Sequence, residues 1–257
     1  MSVSAGEEDF QSEMLTLSGT LVREFCDVMD YAWKAPAFLK QQYEIEVGKL
    51  ETYYPYDGTQ EGRQRADRAR DVRWASVNTT LSESFPHLLN AGNLAAVLSF
   101  YETGLLRICF LLDKHTGISL DVVRGQGTPK FYAYLENCLS MRGVNMGTFE
   151  HLEPVRNAFR IRNAFIHASG ILLYSPRRNE MKRIVDNALY LVPKLRLQQM
   201  SSEGERLVSI DLGDKGERLR ISPQYVWNVS TYCSALLTEI CDSFLPLDRK
   251  TFRDWPG

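Results

Sequence analysis

The stretch "RNAFRIRNAFIHASG", residues 156–170, decides how this chain is read. Its apolar side chains recur at helical spacing and a glycine follows them. That predicts a helix from about Thr148 to Ala168 with Gly170 as its C-cap. With Arg162 set at zero, Val155, Ile166 and Phe159 fall at about 20°, 40° and 60°, and Ala158 and Phe165 at about −40° and −60°. Arg162 therefore sits near the middle of the stripe the helix is expected to bury. Asn163, Arg156, His167 and Arg160 fall at about 100°, 120°, 140° and 160°, a polar stripe beside it. Asn163 and His167 form an i,i+4 pair on adjacent turns. The two "RNAF" copies are six residues apart and so face different ways.

A guanidinium keeps its charge in a protein, and burying it alone costs several kcal/mol, roughly. Arg162 thus calls for a carboxylate, a seam that holds water, or an anion that comes and goes. Glu102, on the apolar helix upstream, is the obvious carboxylate. From Met141 to Met200 ten basic side chains stand against four acidic ones, while residues 1–60 are acidic, led by Glu7, Glu8 and Asp9. The chain as a whole carries a formal charge of −2. A local anion-binding surface fits this asymmetry, and so does a solvated charged face.

Outward from this stretch nearly every segment reads as helix. "SEMLTLSGTLVREFCDVMDYAW" places Leu15, Leu21, Val22, Phe25 and Met29 at helical intervals. Pro36 is read as opening a second helix toward Tyr54, before a loop in "YYPYDGTQEG". "RQRADRARDVRW" interleaves both charges and predicts an exposed, ion-paired helix. "NLAAVLSFYETGLLRICFLLDKHTG" is the most apolar helix and a natural centre for a core. "RGQG" reads as a turn, with Thr128 as N-cap and Pro129 as first residue of the next helix. Strand-like segments flank "GDKG" in a β-hairpin pattern, and Ser222-Pro223 opens a last helix carrying Val226, Val229, Cys233, Leu236, Leu237, Ile240 and Phe244. The expected class is mainly α, with one small hairpin before the C-terminal helix.

The five cysteines, Cys26, Cys109, Cys138, Cys233 and Cys241, are widely spaced and form no metal-ligand pattern. They predict buried free thiols in a reducing compartment. The opening "MSVSAGEEDF" lacks the basic start and apolar core of a secretory signal, and no apolar run approaches membrane-span length. A cytoplasmic protein without a membrane partner is expected. His87, His115 and His151 have no constellation around them.

"RIRNAFIHASG" resembles the R-x4-H signature of HEPN domains (higher eukaryotes and prokaryotes nucleotide-binding). Arg162, Asn163 and His167 match the arginine, the frequent polar second position and the histidine. The order of elements is also similar. An apolar helix with "FYETGLLRIC", a GxG turn, a helix, the motif helix, a hairpin and a closing helix cover roughly residues 90–245. The resemblance implies a HEPN-like helical bundle over 90–257, preceded by an N-terminal helical region at 1–89 of unknown role. It implies a metal-independent endoribonuclease, without cofactor, that pairs as a homodimer with a composite active site. His167 would then be general acid/base, Arg162 would hold and stabilise the scissile phosphate, and Asn163 would orient His167 or bind the phosphate. The products would be a 2′,3′-cyclic phosphate and a 5′-hydroxyl. Toxin and phage-defence effector are the implied roles, with an antitoxin or another defence component as partner. Where one toxin subgroup carries a modified tyrosine two residues beyond the histidine, this chain has Ser169, with Tyr174 farther on.

The residues by themselves agree with that chemistry. RNA carries its own 2′-hydroxyl nucleophile, and histidine suits both proton roles near neutral pH. Arg156 and Arg160 share the polar stripe as candidate RNA-phosphate contacts, and Glu102 supports Arg162. Two other readings stand beside this one. The first is a HEPN-like module that binds RNA, a nucleotide or a protein without cleaving it. The second is a structural protein in which Arg162 and Glu102 form a buried pair.

Overall fold

A computed structural model describes residues 5–53, 58–201, 206–213 and 216–246. It is mainly helical. The helices are α1 (Ala5–Tyr53), α2 (Gln60–Asn78), α3 (Phe85–Thr116), α4 (Gly127–Ser140), α5 (Leu152–Ala168), α6 (Arg178–Asp186) and α7 (Pro193–Ser201), followed by strands β1 (Val208–Gly213) and β2 (Gly216–Ile221) and helix α8 (Pro223–Asp242). The strands pair antiparallel from Val208 opposite Ile221 to Gly213 opposite Gly216. The hairpin and the closing helix are where the sequence places them. The middle of the expected "GDKG" turn and part of the loop before α2 lie outside the described residues.

Helix α3 is the centre. Leu94, Leu98, Tyr101, Leu105, Ile108 and Leu112 are completely shielded from water. Helices α1, α4, α5 and α8 pack against it. Gly104 permits the closest approach, since a Cβ there would stand 2.8 Å from Leu237 Cδ1 of α8 and 3.2 Å from Leu21 Cδ2 of α1. Contrary to the sequence expectation, the continuous helical stretch Gln60–Thr116 does contain an 18-residue window long and apolar enough to cross a membrane. Hydropathy counts side chains without knowing what covers them, and many of α3's apolar side chains face the core of this fold.

Other expectations need correction. Pro36 opens no second helix, because α1 runs through it for 49 residues. An internal proline costs about 3 kcal/mol. Packing on both sides outweighs it: Phe10, Met14, Leu21, Phe25 and Ala32 are buried in the core, and beyond the proline α1 meets α2, where Arg73 reaches Glu46 at 3.4 Å. The division at residues 89 and 90 falls inside α3, and α1 shares one core with α3 and α8. No packing boundary separates an N-terminal region there. Helix α2 is exposed as expected, with Arg65–Glu61 and Arg70–Asp67 pairs along it. It joins α3 through a π-turn, Thr79–Ser84, in which the Phe85 N–H donates to the Thr80 carbonyl. Widening the helix there relieves the clash a proline ring, here Pro86, makes with the carbonyl four residues back.

Helix α4 is capped at Gln126 instead of Thr128. The Thr128 hydroxyl is turned inward and donates to the Glu102 carboxylate. Helix α5 begins at Leu152, after a 3-10 turn at Met146–Thr148. Its left-handed C-cap is Ser169, with Gly170 following also at positive φ. At the start of α8, Ser222 Oγ accepts from the Tyr225 N–H at 3.1 Å. All five cysteines are free, and all but Cys26 are buried.

Gly104 tests the packing directly. Gly104→Val is expected to lower stability by about 1–3 kcal/mol through overpacking against Leu237. Gly92→Ala, in the same helix with open space around it, should raise stability by up to about 1 kcal/mol. Urea denaturation of both variants measures the contrast.

Candidate functional site around helix α5

Helix α5 does not bury the stripe that hydrophobicity alone picks out. Val155, Ala158, Ile161, Ala164, Phe165 and Ala168 face the core, together with Asn157. The buried arc is centred between Ile161 and Phe165, so Arg162 lies at its edge. Ile166 is 54% exposed and Phe159 is half-buried. The stripe centred on Arg162 leaves out Ile161, at about −100°, and the small Ala164 and Ala168, all of them buried. Asn157 is buried with them, its amide donating to the Leu189 carbonyl at 2.8 Å.

On the side facing α3, Arg162 Nη2 stands 3.6 Å from Glu102 Oε2. Its Nη1 donates to Asn163 Oδ1 at 2.9 Å, and the guanidinium lies 5.6 Å from the centre of the Phe159 ring. The Arg162 Nε is buried and makes no hydrogen bond. Glu102 is shared, its second oxygen accepting from Thr128. The expected Arg162–Glu102 pair therefore forms, though at the outer limit of contact, with one donor of the guanidinium left over.

On the other side of α5 a cleft of about 250 Å³ opens against α6. Asn163, His167 and Arg160 line one wall, with Ser175, Arg177 and Met181 across from them. His167 is exposed, and its ring makes no hydrogen bond or ion pair among the described residues. The motif thus brings Asn163 and His167 to the cleft while Arg162 turns toward Glu102, with the Asn163 carboxamide linking the two sides.

The arginines considered for RNA phosphates are already occupied. Arg156 pairs with Glu136 at 3.5 Å and lies over the Tyr132 ring at 5.3 Å. Arg160 contacts Glu153 at 3.1 Å, Glu180 at 3.0 Å and Asn157 Oδ1 at 2.6 Å. Part of the basic excess of residues 141–200 is answered by three carboxylates outside that segment. Glu102 meets Arg162, Glu136 meets Arg156, and Glu217 takes both Arg178 and Lys182. A local count of charges does not see these.

Two features have no local sequence signal. Ser175 and Arg177 reach the cleft only because α6 folds back beside α5. At the other end of the chain, the ligand atoms of Asp9, Glu13 and His115 lie within 4.8 Å of one another. The Glu13 carboxylate there already holds Lys114 at 2.6 Å and His115 at 3.2 Å. Those hydrogen bonds, Lys114's first, keep its pKa below the ordinary value, so the group carries its own cation.

Compared with protein-family models, curated proteins and solved structures, the chain shows no significant match to any.

His87, buried at the start of α3, packs edge-on against Phe165 of α5 with ring centres 5.3 Å apart. Burial first, and then the charges of Arg218 and Arg220, lower its pKa to about 4, against a weaker upward pull from the Ser169 backbone. In the unfolded chain it titrates near 6.5. Between these values protons bind the unfolded chain preferentially, so this contribution is complete above pH 6.5, declines as pH falls toward 4, and changes no further below. The loss amounts to at most about 3 kcal/mol. Urea unfolding at pH 7.5 and pH 5 should show it, and His87→Gln should flatten the difference.

Proposed function

We propose that the chain is a metal-independent endoribonuclease of the HEPN type, acting on RNA in the cytoplasm as a homodimer. The observation that carries this reading is His167. Its imidazole is exposed at the wall of a cleft, engaged by no other side chain among the described residues, beside an asparagine that itself accepts from Arg162. A free imidazole is what proton transfer to and from ribose oxygens requires, near neutral pH. In the proposed reaction one His167 takes the proton of the 2′-hydroxyl. The oxygen then attacks the adjacent phosphorus, and the 5′-oxygen leaves with a proton from the other chain's His167. A 2′,3′-cyclic phosphate and a 5′-hydroxyl result. Arg162, released from its 3.6 Å contact with Glu102, stabilises the charge that builds on the phosphoryl oxygens.

The second chain fits the same surroundings. Ile166, Phe159 and Arg162 form a half-apolar face beside the motif, and Arg162 has a buried donor still to be met. A second copy laid on that face would cover the apolar side chains and bring a second motif to the first. A toxin or phage-defence role, regulated by an antitoxin or another defence component, accords with such an enzyme.

The Arg162–Glu102 contact within one chain favours the structural-protein reading, and a cleft that holds Asn163 and His167 without Arg162 favours a helical module that binds RNA, a nucleotide or a protein without cleaving it. Cleavage of RNA with chelator present separates the nuclease from both. Wild type should cleave, leaving cyclic phosphate ends, and His167→Ala and Arg162→Ala should each lose about 100-fold or more. Light scattering should give a dimer. RNA binding without cleavage by wild type would select the binding module, and cleavage undiminished in both variants would rule out this site.

A further inference from the structure

The cleft beside His167 is lined by two arginines, a histidine, an asparagine and a serine, and no carboxylate is among its lining residues. Alanine, proline and methionine side chains complete its walls. Such a cleft suits an anion: it offers donors and positive charge, and its apolar walls strengthen the electrostatics of whatever enters. Which arginine meets the anion follows from their partners. Arg162 is not part of the lining and is turned toward Glu102. Arg160 has Nε and Nη1 committed to Glu180, Glu153 and Asn157. Arg177 differs from both. Its side chain is 67% exposed, and among the described residues its one carboxylate contact is with Glu180 Oε2 at 3.5 Å, while the other oxygen of that group serves Arg160.

We propose that Arg177 is the phosphate-holding residue of this cleft, gripping an RNA backbone phosphate between itself, Asn163 and His167. That the phosphate belongs to RNA rests on the ribonuclease reading; the anion site rests on the cleft alone. Arg177 precedes the first turn of α6, and its backbone N–H donates to Ser175 Oγ at 3.3 Å. This leaves the Ser175 hydroxyl proton free to donate to a phosphate oxygen. The guanidinium exchanges a long contact to Glu180 for a charge-assisted, bidentate one to phosphate, the geometry for which arginine is suited.

The test uses inorganic phosphate and a short single-stranded RNA. In wild type, phosphate should shift the His167 ring resonances saturably. Arg177→Ala should weaken that binding about tenfold or more, Arg177→Lys should restore part of it, and Arg183→Ala, exposed on the same helix and outside the cleft, should leave it unchanged. RNA affinity of Arg177→Ala should also depend less on salt, by about 0.7 in the logarithmic slope. Thermal melting checks that the exposed substitution leaves the fold intact. Absence of a saturable His167 shift in wild type, or equal binding by Arg177→Ala, overturns the inference. Arg177-dependent phosphate and RNA binding by a wild type that cleaves no RNA upholds it and removes the ribonuclease reading instead. Active cleavage with phosphate binding indifferent to Arg177 does the reverse.

Discussion

Tyr101, Leu105 and Ile108 lie along the middle of α3 with no exposure to water, and the rest of the molecule is arranged to keep them so. An ordinary amphipathic helix needs one neighbour. One as apolar as α3 needs cover on several sides, and α1, α8, α4 and α5 supply it, leaving Leu88, Phe100 and Phe110 exposed. Gly104 lets α1 and α8 approach closely. The Tyr101 and Tyr132 hydroxyls, 2.9 Å apart, satisfy each other where α4 closes over the centre. The motif helix packs on both α3 and α8, and these two neighbours together decide which of its apolar residues are buried.

That placement divides the motif. Residues 162 and 167 are five positions apart, so on a straight helix their side chains diverge widely. With Ile161 and Phe165 turned into the core, Arg162 is left at the α3 seam and His167 at the α6 cleft. Asn163 lies between and touches Arg162 directly. The seam is a place where a guanidinium survives with Glu102, a ring face and one unmet donor. The cleft is where the His167 imidazole stands exposed beside Asn163.

Much of this was legible in the chain. The central helix, the hairpin, the Ser222 cap and the dominance of helix follow from period, punctuation and composition, which are local. Glu102 was identifiable as the partner of Arg162 because few acids interrupt so apolar a helix. The cleft was not legible. Ser175 and Arg177 carry no periodic signal, and their meeting with His167 depends on the path between α5 and α6. Arg156 looked available because Glu136 is on another element; Arg160 also meets Glu180 of another element, though its pair with Glu153 on the same face of α5 was legible. Pro36 looked like a break because the cost of an internal proline is local while the packing that offsets it is not.

The sequence by itself determined which segments are helical, which helix must be enclosed, and that an arginine, an asparagine and a histidine share one helix. These depend on interactions within a few turns. Only the tertiary structure decided which side of that helix is buried, which charges are neutralised and which residues stand opposite the histidine. Those depend on side chains brought together from distant positions, where Coulomb attraction and loss of water act on distance in space and not on distance along the chain.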